Sequence, residues 1–187
     1  SFKQLLAKFL IWRIRHLSTR NFVIIVGGLV GIVGGVAAVS LKSAVHFIQE
    51  LIKHTNIDYS YLFFPVLGIV ITALLAKYLL KEQLGHGITT ILFYISKKSS
   101  IIHRNKMFSR MITSGITVGC GGSVGLEAPI VVTGSAIGSN IARLMHLNYK
   151  QRTLMIGCGA AAAISGIFNS PVAGVIFSIE VILTDIT

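Results

Sequence analysis

Apolar residues in this chain run in blocks, and polar residues collect in the gaps between them. Residues 21–41 carry no charge. At ~1.5 Å rise each they extend about 31 Å, the depth of a bilayer's hydrocarbon core. This block predicts a first spanning helix, continued past the membrane by residues 43–54, with a turn at Asn56 and Asp58. Gly27, Gly31 and Gly35 recur every fourth residue, a spacing that lets a second helix approach closely in lipid. A second span is predicted over residues 59–80, opening on aromatics suited to the interface and ending between Lys77 and Lys81. The two spans are expected to form a hairpin.

The later blocks are shorter. Residues 85–95 fall well below the ~20 needed to span. Residues 111–124 and 128–144 are divided by Gly121-Gly122-Ser123-Val124-Gly125-Leu126-Glu127-Ala128-Pro129. Residues 153–167 are divided from 171–183 by Phe168-Asn169-Ser170. Proline is favoured in a helix's first turn, so Pro129 and Pro171 each mark a fresh start. Such breaks leave backbone polar groups unpaired, which lipid tolerates only where they line a cavity. Short, interrupted helices of this kind suit a transport protein whose helix ends face a buried site.

Composition agrees with this pattern. The 187 residues are 53% hydrophobic and only 12% charged, about half the charge of an ordinary soluble domain. The net charge of +11 raises the question of a nucleic-acid partner. The bases lie between apolar blocks rather than along one polar face, as the positive-inside rule produces, so that partner is excluded. The same bias places the N-terminus in the cytoplasm. Residues 2–17 mix Lys and Arg with Leu, Phe, Ile and Trp12 and predict an amphipathic helix on the cytoplasmic surface. The chain thus divides into this helix, residues 1–20, and a membrane domain, residues 21–187. Cys120 and Cys158 sit in Gly- and Ala-rich apolar stretches, as buried, reduced thiols do.

Glu127 is the sharpest chemical feature. A carboxylate at membrane depth costs about 2.5 kcal/mol or more on insertion scales. A helix N-terminus offsets part of this, about 0.3–1 kcal/mol and up to ~2. The same N-terminus, with amides near Ala128, Ile130 and Val131 expected to be free, is an anion site. A carboxylate tethered there competes with a permeant anion, and its movement or protonation opens the site. The plainer alternative is that Glu127 only caps its helix. Leu84-Gly85-His86-Gly87-Ile88-Thr89 is a second glycine-flanked helix start, where the backbone can approach an anion and His86 can donate a ring hydrogen bond. A plain turn explains that triplet equally. Histidines are scattered, no acidic cluster occurs, and Cys120 has no base in reach by sequence, so neither an enzyme nor a metal or cofactor site is expected.

Taken together, these segments resemble the CLC family of chloride channels and chloride/proton antiporters. Gly122-Ser123-Val124-Gly125-Leu126-Glu127-Ala128-Pro129 is similar to the family's Gly-Ser-x-Gly-Arg/Lys-Glu-Gly-Pro signature. The Ala160–Ala163 run and Phe168-Asn169-Ser170-Pro171-Val172-Ala173-Gly174 through Glu180 resemble its Ala-rich segment and following helix. Gly85-His86-Gly87-Ile88-Thr89 falls where the family has Gly-Ser-Gly-Ile-Pro. The resemblance implies an all-α, polytopic fold with short broken helices, of which this chain supplies the first of two inverted repeats. It implies a homodimer in a lipid bilayer, at the cell membrane, with the remaining half of the same protein beyond Thr187. It implies Glu127 as the gate and His86, Gly87, Ile88 and Ala128 around chloride or another small anion.

Three departures bear on function. His86 and Thr89 replace serine and proline, which touches anion preference. Leu126 replaces the basic residue beside the gate and weakens the local positive field. Val181 stands where proton-coupled members carry a second glutamate, and valine cannot titrate. The reading that follows is a passive, gated chloride channel, with a chloride/proton antiporter as the alternative.

Overall fold

The structure, a computed structural model, describes residues 18–53, 60–80 and 87–183. The expected amphipathic helix, the turn at Asn56 and Asp58, and His86 lie outside the described residues. Every element described is helical. Helix α1 is Thr19–Lys53, and α2 is Ser60–Leu74, continued by wider π-type turns over Leu75–Leu80. Helix α3 is Gly87–Lys97, followed by a 3-10 turn at Arg104–Met107 and by α4, Ser109–Gly119. Helices α5, Glu127–Leu144, and α6, Tyr149–Phe168, form a hairpin. Helix α7, Pro171–Phe177, runs on into π-type turns over Ser178–Leu183.

The breaks fall where the local chemistry demands. Asn148 caps α6, its Oδ1 accepting from the Gln151 amide at 2.9 Å while Gln151 Oε1 accepts in return from the Asn148 amide. The far end of α6 stops at Asn169, held left-handed at φ 53°, and Pro171 opens α7 in its first turn. Pro129 likewise sits in the first turn of α5, which begins two residues earlier at Glu127.

The α5–α6 hairpin closes through bare backbone. A Cβ added at Gly134 would overlap the Gly159 carbonyl, one at Gly138 would overlap the Met155 carbonyl, and one at Gly159 would overlap Gly134. Helix α1 lies parallel to α6. A Cβ at Gly34 would come within 3.3 Å of the Gly159 oxygen and of Ala162 Cβ, and one at Gly166 within 2.6 Å of Ala38 Cβ. The buried stripe of α1 is Phe22, Val26, Val30, Gly34, Ala38, Leu41 and Val45. This corrects the expected glycine seam: Gly27 and Gly34 face α6, while Gly31 has nothing within 4 Å. A true helical face drifts from a strict four-residue repeat, so the contact moves from Gly35 to Gly34.

Helices α1 and α2 also fail to form the expected hairpin, because they make little direct contact. Helix α4 lies between them. On one side a Cβ at Gly119 would come within 2.8 Å of Ile48, and on the other Thr72 Oγ1 and Thr117 Oγ1 share a hydrogen bond of 2.9 Å. Two long apolar helices gain little from mutual contact in lipid, where close backbone approach decides packing.

The outer face of α1 over residues 23–39 is open and apolar: Ile24, Ile32 and Val36 are 64%, 71% and 61% exposed. It is the one helix among the described residues long and apolar enough to cross a membrane; the apolar stretches Phe63–Tyr78 and Pro171–Ile182 are shorter.

Gly134→Ala is expected to destabilise the chain by about 1–3 kcal/mol through overpacking. Gly31→Ala, in open space, should be neutral or stabilising by up to about 1 kcal/mol. Thermal unfolding of both variants in detergent checks the contrast, and equal midpoints would contradict the glycine contact.

Candidate functional site

The hairpin sets the depth of Glu127. Gly134 and Gly34 both meet Gly159, and Gly138 and Gly27 both meet Met155, so α5 runs antiparallel to α1. Glu127 precedes Gly134 by seven residues, about 10 Å at ~1.5 Å per residue. That puts Glu127 level with Leu41, where the first uncharged block ends, well short of the helix end at Lys53.

A second helix start arrives at the same place. Gly87, the first residue of α3, lies against Ala128, where an added Cβ would come within 2.7 Å of the alanine Cβ. Two helix N-termini therefore converge, each with a partial positive charge of about half a unit. The Gly87 backbone meets the Ala128 methyl there, with no larger side chain from either residue between them. Ile88 packs its side chain against the main core, as does Leu126, so neither extends a polar group into the junction.

The local geometry of α5 revises two details. Leu126, before the first turn, is already helical at φ −82°, ψ −6°, and its carbonyl accepts from the Ile130 amide at 3.1 Å. The Ile130 amide is therefore engaged, not free. Pro129 has no N–H, which leaves the amides of Glu127 and Ala128 as the donors of that end. Glu127 is exposed on the surface of this chain rather than buried within it. Glu127 shares that exposure with Ser123, Val124 and Gly125 of the preceding loop. The loop turns back at Gly121, φ 91°, a left-handed conformation that glycine adopts without strain.

What holds α3 in line with α5 was not visible in the sequence. The segment after α3 is laced to the closed end of the hairpin. Ser139 Oγ donates to the Ser100 carbonyl at 2.6 Å and accepts from the Ile102 amide at 3.0 Å. Asn140 Nδ2 donates to the Ile102 carbonyl at 3.1 Å, and Tyr149 Oη to the Ile95 carbonyl at 3.2 Å. Arg152 Nη1 donates to the Ser99 carbonyl at 3.0 Å, and the Ser100 and Thr153 hydroxyls pair at 2.7 Å. Ser99 and Ser100 are both left-handed, at φ 49° and 60°, a conformation that costs about 1–3 kcal/mol per residue and persists only where its surroundings impose it. The only sequence signal was the pairing of two adjacent polar residues, Ser139 and Asn140, on a largely apolar helix.

At the other end of the chain, Ser178 Oγ donates to the Gly157 carbonyl at 2.7 Å, fixing the turn that carries Glu180 and Val181 to α6. Glu180 is exposed, and Val181 packs against the core.

Comparisons with known proteins bear on this arrangement. Residues 69–187 match the family model described as voltage gated chloride channel. The chain is 30% identical over 182 residues to an H(+)/Cl(-) exchange transporter ClcA of Yersinia pestis, covering 89% of this chain and 38% of that protein. It is 27% identical to chloride channel protein CLC-f of Arabidopsis thaliana, covering 86% of this chain and 22% of the relative. Against chloride channel protein clh-3 of Caenorhabditis elegans the identity is 29%, with 78% and 16% covered. The chain thus spans well under half the length of each of these relatives.

Ser139→Ala removes both bonds at once and strands the Ile102 amide and Ser100 carbonyl, at about 1–3 kcal/mol for each buried group. Hydrogen exchange at the Ile102 amide should accelerate about tenfold or more, since ~1.4 kcal/mol is a factor of ten. Unchanged protection would show that the loop is held by something else.

Proposed function

The chain belongs to the voltage-gated chloride channel family, and from that premise we propose that it helps form a transmembrane path for chloride, closed and opened by Glu127. The observation that carries this reading is the meeting of two helix N-termini at Gly87 and Ala128, with the acid on the first residue of one of them. Aligned amides and helix dipoles attract an anion there without a resident cation. An anion held by dipoles rather than by a full charge leaves readily, as conduction requires.

In this mechanism the Glu127 carboxylate and the permeant anion compete for one positive potential. The amides of Glu127 and Ala128 favour whichever negative group is closer. When the carboxylate is ionised and turned toward its own helix end, the anion is excluded. Protonation removes its charge, or rotation withdraws it, and the anion enters. Gly87 and Ile88 contribute the backbone of the opposing helix end, and His86, on the sequence alone, is proposed as a further donor to the anion. Leu126 adds no positive field, so selectivity for anions rests on the backbone. The protein is read as an integral membrane protein with a cytoplasmic N-terminus, a homodimer whose path is completed by the rest of the polypeptide.

A passive channel is preferred because Val181 offers no proton site where coupled members carry a glutamate. The likeness to an exchange transporter supports the second reading, proton-coupled antiport, in which another acid or a water chain carries the proton.

Glu127→Gln is expected to hold the site in its protonated-like state. In vesicles, wild-type anion flux should rise as pH falls, while the variant's flux should be high and flat across the same range. A variant that keeps the wild-type pH profile would exclude Glu127 as the gate. A second measurement separates the two readings. Under an imposed chloride gradient a channel moves no protons against their own gradient, and uphill proton movement in fixed ratio to chloride would establish antiport.

A further inference from the structure

One end of the bundle is rich in cations. Arg20 opens α1, Lys97 and Lys98 close α3, Arg104 lies in the 3-10 turn, and Arg143 and Lys150 flank the closed end of the α5–α6 hairpin. All six are exposed. They are brought together by the lacing bonds from Ser139, Asn140, Tyr149 and Arg152, and by the packing of Phe22 and Val26 against Ala142, Leu147 and Met155. No Asp or Glu occurs in residues 19–49, 83–126 or 128–179; the acid that comes nearest along α6 is Glu180, exposed on the turns that Ser178 ties to Gly157.

Apolar side chains lie one helical turn inward of these cations. Arg20 is followed by Ile24, Lys97 is preceded by Phe93, and Lys150 is followed by Leu154, at 64%, 51% and 40% exposure. Residues four apart share a helix face. Three helices thus present the same order, a cation at the rim and an exposed hydrophobe toward the middle. A surface for nucleic acid or soluble phosphate has no use for that second row. The boundary between lipid headgroups and acyl chains matches both rows, since basic side chains reach the headgroups from apolar stems.

We propose that this rim is a binding surface for anionic phospholipid headgroups, with Lys97 and Lys98 on one side and Lys150 on the other holding the phosphate. The inference rests on the membrane reading above but not on the identity of the transported ion. Topogenic charge alone would need no fixed geometry, whereas here the loop bearing Lys98 is pinned through strained backbone at Ser99 and Ser100.

The test uses the full chain in phosphatidylcholine vesicles carrying trace spin-labelled lipid, and reads the fraction immobilised at the protein. Spin-labelled phosphatidylserine should be enriched severalfold over labelled phosphatidylcholine, since each cation near an anionic surface contributes about fivefold. The triple variant K97Q/K98Q/K150Q should bring the two close to parity. So should salt near ~1 M, where the Debye length falls to about 3 Å. Equal selectivity in variant and wild type overturns the proposal while leaving the membrane reading intact. Displacement of the labelled lipid by inorganic phosphate overturns it in favour of a soluble anion. Release of the chain by alkaline extraction would sink the membrane reading itself.

Discussion

The direct contact of backbone on backbone between α5 and α6 governs the rest of the structure. Gly134 and Gly159 touch without side chains between them, so the two helices can neither slide nor rotate without collision. In an apolar surrounding no hydrophobic force would otherwise fix their register. Because α1 lies on the same glycine, its register is fixed too. The depth of Glu127 then follows from counting residues back along α5.

A second constraint acts separately from the first. Helix α3, of 11 residues, is too short to gain orientation from burial alone, since only Ile91 and Ile95 are fully enclosed. It is aligned from its two ends. At one end Gly87 sits against Ala128; at the other, hydroxyl, amide and guanidinium donors from the hairpin seize the carbonyls of Ile95, Ser99, Ser100 and Ile102. Carbonyls left bare in an apolar setting cost several kcal/mol each. These bonds therefore hold firmly, and the strained serines are the consequence. The same lacing that aligns the candidate anion site also assembles the cationic rim.

The breaks in the chain were legible in the sequence because proline, asparagine and glycine act locally. Asn169 and Pro171 end one helix and begin another whatever surrounds them, and the long uncharged run of α1 needs no partner to be seen. Residue spacing alone could not say which glycine would meet which helix. Gly31 and Gly34 differ by about 4.5 Å in height and in angle around α1, and both matter only once α6 is in place. Interposition of α4 between α1 and α2 was hidden for the same reason, since it depends on Gly115 and Gly119 finding Leu41 and Ile48 some 70 residues earlier. The roles of Ser139 and Asn140 were equally unreadable, because their partners are carbonyls, which every residue has.

Exposure of Glu127 changes the physical problem rather than removing it. An acid sealed in the core of this chain would need a large desolvation to be offset, and could move only by repacking its neighbours. At the first residue of α5, beside an exposed glycine-containing loop, it has room to rotate and an N-terminal dipole to return to. The favourable contribution of that dipole, about 0.3–1 kcal/mol at an exposed position, is small enough for protonation or a competing anion to reverse. Deep burial would have made the acid a fixed strut. A place on the first turn, in front of the rigid hairpin, suits the proposed gating, in which the side chain rather than the helix moves.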